Sequence, residues 1–302
     1  MSLDVDLIIE RRRLKWHLTL WRVIGIVAVF SVILVGIGRF NLTGKEHIAR
    51  IAIQGIIVDD LTRDEVLKKI AKNDLAKALI VNINSPGGSY VGGEALYEAL
   101  RFVGKQKPVV ALMGTTATSA GYLTALASDQ IFARSSSLTG SIGVILQTVD
   151  ITEMLDNFGV KPIVIKSAPL KAQPNPLENF SKAAREVTES VVADFYDMFI
   201  DTVAERRDLP RDKIKKLADG RVFSGRQAFS LGLIDAIGAE TEARKWLFEI
   251  HKIEESLPIK DVEVSSDGMT WVSWLNSKIE KIIFSKRLSL DGAISLWHPN
   301  QL

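Results

Sequence analysis

Gly114-Thr-Thr-Ala-Thr-Ser-Ala-Gly-Tyr122 stands between two apolar segments, Pro108-Val-Val-Ala-Leu-Met113 before it and the Ala/Leu-rich Tyr122 to Ala127 after it. That order reads as a buried strand, a tight turn of small residues, then a helix. A serine at such a turn, Ser119, has its hydroxyl beside the unpaired backbone N–H groups that open a helix, where an anion can be held. This is the geometry of an acyl-transfer nucleophile. The plainer alternative is a serine N-cap on an ordinary buried helix.

Near neutral pH a serine hydroxyl needs a neighbouring base to take its proton. The histidines are His17, His47, His251 and His298, and none lies between Arg50 and Ile250, where nearly all the strand and helix patterns fall. A Ser-His-Asp triad is therefore not expected. Lysine remains, since a neutral ε-amine can act as base if burial lowers its pKa from about 10.4 toward about 7. Lys171 fits the need. It follows the strand-like Pro162-Ile-Val-Ile-Lys-Ser167 and lies in Ala168-Pro-Leu-Lys-Ala-Gln-Pro-Asn-Pro176, whose prolines restrict the loop. Lys166 is the rival, and either lysine could equally be a solvated surface residue.

A third stretch, Asn82-Ile-Asn-Ser-Pro-Gly-Gly-Ser89, follows the apolar run Ala78-Leu-Ile-Val81 and precedes a helix beginning near Gly92. Paired glycines, Gly87 and Gly88, let backbone N–H groups approach a ligand with no Cβ in the way. That suits an oxyanion hole, whose donors sit about 3 Å from the developing charge. A plain Pro-Gly turn joining strand to helix is the alternative.

Ser-Pro-Gly-Gly after a strand, Thr-Ser-Ala-Gly-Tyr some 30 residues on, Thr139-Gly-Ser-Ile-Gly-Val144, and a lysine about 50 residues past the serine occur in that order. The set resembles signal peptide peptidase A, a family of the Clp-protease/crotonase fold that uses a Ser/Lys dyad. The resemblance spans roughly Ile51 to Ile250. It implies an α/β fold of ββα superhelical type, with Ser119 as nucleophile and Lys171 as general base. It further implies that Ser141 orients the lysine and that the Gly87, Gly88 and Ala120 amides form the oxyanion hole. Peptide substrates such as signal-peptide remnants, a homo-oligomeric ring and no cofactor are implied in the same way. Ala117 and Ala168 depart from the family pattern, each standing where glycine is common.

The 302-residue chain is 47% hydrophobic and 25% charged, enough for a globular core. A net charge of +2 gives no reason to expect a nucleic-acid partner. With no cysteine there is neither a disulfide framework nor a thiolate metal site. Residues 1–45 form a separate region. The uncharged run from Val23 to Gly38, bounded by Arg22 and Arg39, is expected to be a transmembrane signal anchor. As a helix it spans about 24 Å, which Leu18 to Trp21 would extend. A cleaved signal peptide is the competitor. Arg11, Arg12, Arg13, Lys15 and Arg22 before the run, against Arg39 and Lys45 after it, place the N-terminus in the cytoplasm. The rest then lies on the periplasmic or outer face of the inner membrane.

The segment 46–254 alternates strand and helix, which argues for parallel strands in an α/β core. Strands are expected at 49–54, 78–84, 108–113, 130–134, 141–147 and 162–167. Helices are expected at 61–72, 92–103, from Ser119, at 150–157, 181–207, from Ser224 and at 240–251. Beyond Glu254 the pattern weakens into an extension, 255–302, in which Trp271, Trp274, Leu275, Ile279, Ile282 and Ile283 recur at helical spacing. The reading is a membrane-anchored serine endopeptidase. Two rivals share its fold, a crotonase-type acyl-CoA enzyme and a catalytically inactive membrane scaffold. The first would need carboxylates at the site, and none flanks Ser119 or the Gly-Gly turn.

Overall fold

The computed structural model describes residues 15–17, 19–31, 45–264 and the backbone of 294–296. The chain divides into two compact units, Met1–Lys45 and Glu46–Leu302. In the first, 19–31 is helical with exposed side chains, Ile26 and Phe30 among them. Among the described residues no helix is long and apolar enough to cross a membrane. The latter part of the expected span, from residue 32, and the expected helix around Trp271 to Ile283 lie outside the described residues.

In the second unit, β1 (His47–Ile57) leads through α1 (Leu61–Ala71) to β2 (Ala76–Ser89), and α2 (Tyr90–Gly104) leads to β3 (Val109–Thr118). Next come α3 (Ala120–Ala125), β4 (Gln130–Ala133), β5 (Leu138–Gly140) and α4 (Thr152–Asn157). The long α5 (Lys182–Arg207) follows, then α6 (Arg211–Leu217), β6 (Val222–Ser224), α7 (Gly225–Leu231), β7 (Ala236–Ile237) and α8 (Glu240–His251). After residue 254 the chain supplies β8 (Ile259–Val262) and β9 (Ile294–Leu296).

One nine-stranded sheet runs in the order β6-β5-β3-β2-β1-β8, with β4 between β3 and β7, and β9 on β2. Pairing along β8-β1-β2-β3 is parallel, and β5–β6 and β2–β9 are antiparallel. The central strands are apolar on both faces because both faces are covered. Ile48, Ala78, Ile80, Val110 and Leu112 pack with Phe132 and with Ala243 and Leu247 of α8. The alternate residues Ala49, Ile51, Leu79, Val81, Val109 and Ala111 join the larger core with Leu96 and Leu100 of α2 and Phe199 and Val203 of α5. Period-two alternation thus separates two cores across one sheet.

Caps start the helices where the sequence places them. The Asp60 carboxylate accepts from Thr62 and Arg63 N–H, Ser89 Oγ from Gly92 N–H, and Ser181 Oγ from Ala184 N–H. Ser224 and Gln227 form a reciprocal capping box on α7.

Two expected strands are absent. Residues 141–147 do not continue β5, because Gly140 (φ 81°) and Ser141 (φ 49°) turn the backbone into the left-handed region. Residues 162–167 carry the apolar alternation of a strand but find no ladder partner among the described residues, and alternation without a partner strand makes no stable strand. Ile163 and Ile165 stand 89% and 95% exposed.

Arg207 ties α5 to the segment after α7. Its guanidinium donates to Gly232 O at 2.8 Å and to both oxygens of Asp235, while Asp235 also accepts from Ile131 N–H at 2.8 Å. Removing the carboxylate strands a largely buried cation and a strand amide together. Asp235→Ala should therefore lower unfolding free energy by about 2–4 kcal/mol in urea denaturation, with Asp235→Asn milder because it keeps an acceptor.

Candidate active site

Ser119 is the last residue before α3, at φ 56° and ψ −123°. A non-glycine residue there is strained by roughly 1–3 kcal/mol. The turn is held from outside. Ser119 N–H donates to Gly140 O at 2.8 Å, and Ser119 O accepts from Leu123 N–H at 2.9 Å. The side chain makes no capping hydrogen bond, so the N-cap alternative does not describe it. Its Oγ is buried and without a hydrogen-bond partner among the described residues. A buried hydroxyl left unpaired is uncommon and destabilising.

The Ser-Pro-Gly-Gly stretch lies against this turn. Thr118 Oγ1 donates to Pro86 O at 2.9 Å, and β2 and β3 pair at Ser85 and Ala117. Gly88 sits where a Cβ would lie 1.8 Å from Ile57 O, so no other residue fits without moving β1. Gly87 has φ 119°, and its N–H already donates to Ser85 Oγ at 3.1 Å. The first N–H groups of α3, beginning with that of Ala120, have no side-chain cap.

Ser141 follows Gly140, whose carbonyl holds Ser119, so the two serines flank one backbone contact. Ser141 N–H donates to Arg221 O at 2.8 Å. Gly140 permits this crossing. Its φ is 81°, and a Cβ would stand 2.5 Å from the Phe223 ring.

The structure does not bring Lys171 to Ser119. Lys171 is exposed, its N–H donates to Ala168 O at 3.1 Å, and its ammonium has no partner among the described residues. Lys166, the rival, is engaged elsewhere, with its Nζ 2.5 Å from Glu178 Oε2 and 13% of its side chain exposed. One chain therefore brings together Ser119, Ser141, Ala120 and the glycine turn, and leaves both lysines out.

Four contributors escaped the sequence reading. Ser85 is fully buried, and its Oγ bridges Gly87 N–H and Gly87 O. Thr118 locks Pro86, Thr139 Oγ1 donates to Ala117 O at 2.8 Å, and Glu178 holds Lys166. Ser85, Thr118 and Thr139 lie inside the motifs quoted above, which was the available signal. Glu178 gave none. Among the described residues no cluster of carboxylates and imidazoles could hold a metal ion.

A peptide-bond hydrolase with a serine nucleophile is the class that this fold and turn define, and comparison with known proteins agrees. The profile of Peptidase family S49 matches residues 101–254, and that of Clp protease matches residues 47–151. A putative protease of Synechocystis sp. is 37% identical over 209 residues, covering 68% of this chain and 75% of the relative. A putative signal peptide peptidase SppA of Enterococcus faecium is 31% identical over 268 residues, covering 84% and 77%. A ClpP1 variant of Listeria monocytogenes superposes with TM-score 0.43 at 17% identity, covering 63% of this chain and 91% of that one. The chain belongs to peptidase family S49 and is a serine peptidase with a Clp-protease-like α/β fold.

The strain at Ser119 has a measurable consequence. Ser119→Gly removes both the positive-φ penalty and the unpaired hydroxyl, whereas Ser119→Ala removes only the hydroxyl. Thermal denaturation should find the glycine variant more stable than the alanine variant by about 1 kcal/mol, after the larger entropy of unfolded glycine is allowed for.

Proposed function

We propose that this chain is a membrane-anchored endopeptidase in which Ser119 attacks the substrate carbonyl and Lys171 of a second copy takes its proton. The observation that carries the reading is the strained turn at Ser119, with its Oγ buried and unpartnered. Strain of this kind persists where the surroundings over-determine it, and reactive residues collect at such places.

The reaction runs as acyl transfer. As Ser119 Oγ bonds to the carbonyl carbon, its proton passes to the neutral lysine amine, and the carbonyl oxygen takes up the negative charge. That oxyanion is held by the Ala120 N–H and by Gly88, the member of the glycine pair whose neighbour Gly87 has already given its N–H to Ser85. The lysine then protonates the leaving amine, and water, activated by the same base, releases the acid from Ser119. Ser141, next to the carbonyl that holds Ser119, would orient the incoming lysine.

The exposure of Lys171 supports supply of the base by another copy. The residue lies on a segment of the chain in which no side chain from Ile145 to Ala183 is buried, yet which presents Ile163, Ile165 and Phe158 to solvent. So much exposed apolar surface marks an interaction site. A homo-oligomeric ring that buries this arm against the neighbouring copy would cover it and carry Lys171 to the neighbour's serine. The ion pair with Glu178 already occupies the Lys166 ammonium, which leaves Lys171 as the base.

Extended peptides suit the site. The Gly87–Ser89 edge already bears an antiparallel segment, β9, paired Gly87 to Leu296 and Ser89 to Ile294. An edge that takes this segment can take a substrate backbone in its place. Short or unfolded chains, signal-peptide remnants among them, would suit such an edge. The apolar run Val23–Gly38 would anchor the peptidase unit at the outer face of the inner membrane.

Ser119→Ala should abolish cleavage of an unstructured peptide while leaving folding intact. More than a tenth of wild-type turnover would remove Ser119 as nucleophile. Lys171→Ala should lower turnover by at least roughly 10²–10⁴-fold, and Lys171→Arg equally, because a guanidinium does not give up its proton. Co-refolding the Ser119→Ala and Lys171→Ala chains provides the decisive mixture. If the base comes from a second copy, some sites in the mixture hold both groups, and activity returns. A mixture as inactive as its parts rules out supply of the base in trans.

A further inference from the structure

The loop that carries Lys171 is closed on a single oxygen atom. Glu178 Oε2 accepts from Lys166 Nζ at 2.5 Å, from Gln173 Nε2 at 2.7 Å and from Asn175 Nδ2 at 2.5 Å. Lys166 enters the loop and Glu178 leaves it, so their contact ties the base of the loop. Gln173 and Asn175 draw its returning strand onto the same carboxylate. Smaller contacts shape the tip. Asn175 Nδ2 also donates to Ala172 O at 2.9 Å, Lys171 N–H to Ala168 O at 3.1 Å, and Gln173 N–H to Leu170 O at 3.3 Å. Lys171 stands at that tip with its ammonium unpaired among the described residues.

This degree of order needs a reason, because the loop stabilises no core. Fixing each residue of a chain costs about 1–2 kcal/mol of backbone entropy, and buried apolar area is the usual return. Here no side chain from Ile145 to Ala183 is buried. With no residue fully buried, charge-assisted hydrogen bonds are the stronger means left to fix a shape, and three of them converge on Glu178. The Lys166 ammonium holds the Glu178 carboxyl below the usual carboxylate range, with Asn175 adding to the effect.

We infer that Glu178 is a positioning residue for catalysis, holding the 166–178 loop in the one shape that presents Lys171 to a neighbouring serine. The inference rests on the reading of Lys171 as base. A general base must arrive within hydrogen-bonding distance of the proton it takes, and a displacement of about 1 Å can cost on the order of 100-fold in rate. Lys166, Gln173 and Asn175 act through Glu178 and touch no substrate.

The test compares full-length wild type with Glu178→Ala and Glu178→Gln. Glutamine keeps an acceptor oxygen for Gln173 and Asn175 and loses only the ion pair. On an unstructured peptide, Glu178→Ala should lower kcat roughly 10–100-fold with KM within about twofold, and Glu178→Gln should fall between alanine and wild type. Size-exclusion chromatography should show the same assembly for all three chains. Hydrogen–deuterium exchange in a Ser119→Ala background, where no turnover occurs, should show faster exchange confined to 166–178 when Glu178 is alanine. Unchanged exchange, an unchanged kcat, or a kcat loss that tracks loss of assembly would each overturn the proposal. Lys171→Ala, run in parallel, separates the two levels. If it stays active, the base reading fails and the positioning role falls with it. If it is inactive while Glu178→Ala works normally, only the role of Glu178 is wrong.

Discussion

The carbonyl of Gly140 accepting the N–H of Ser119 is the contact on which the site depends. β3 would otherwise run on past Thr118, and α3 would begin wherever its residues preferred. Instead the chain turns at one strained residue, and the strain is distributed among neighbours that cannot yield. Gly140 is fixed by a φ of 81° and by the Phe223 ring beside it. Thr139 ties β5 to Ala117, and Thr118 ties β3 to Pro86. Relaxing Ser119 would mean moving three strands together, and a packed interior resists that. The sheet thus stabilises a conformation that the serine alone would reject.

The same rigidity holds the glycine turn beside the Ser119 turn. Gly88 rests against Ile57 O where no side chain fits, so β1 and β2 approach closely at the level where β2 passes Ser119. Ser85 occupies Gly87 N–H from within. A donor engaged in this way shapes the turn, so the two glycines stand in different surroundings: Gly87 is bonded to Ser85, and Gly88 is pressed against Ile57 O.

What could be read from the sequence divides along a physical line. The runs 78–84 and 108–113, and the caps at Asp60, Ser181 and Ser224, announce themselves because burial and capping are local in pattern. The turn at Ser119 was legible for the same reason, since small residues between a strand and a helix leave few other structures. The strand expected at 162–167 was misread because alternation records only which side chains avoid water. It does not record whether a sheet of the same chain or the surface of another one covers them. The strand expected at 141–147 failed for a different reason, because two consecutive positive-φ residues are a product of tertiary contact with Arg221 and Phe223. Gly87 and Gly88 look alike in sequence, and only the position of Ser85 Oγ distinguishes them. Glu178 was invisible because its three donors are recognised by geometry, not by any spacing rule.

The distribution of order within the chain has a further implication. Ser119, with its turn and the uncapped N–H groups that follow it, is built into a deeply packed part of the molecule. The lysine is carried on an arm with no buried side chain, held by hydrogen bonds to one carboxylate. These are opposite ways of fixing a group, one by surroundings that cannot move and the other by a small self-contained network. The second is the way open to a segment in which no residue is fully buried, because packing cannot stabilise what is not packed. If Lys171 of a second copy is the base, a serine so buried and a lysine so exposed are complementary halves. On that proposal an isolated chain would hold a strained serine with no base to activate it, and hydrolysis would stay silent until copies of the chain meet.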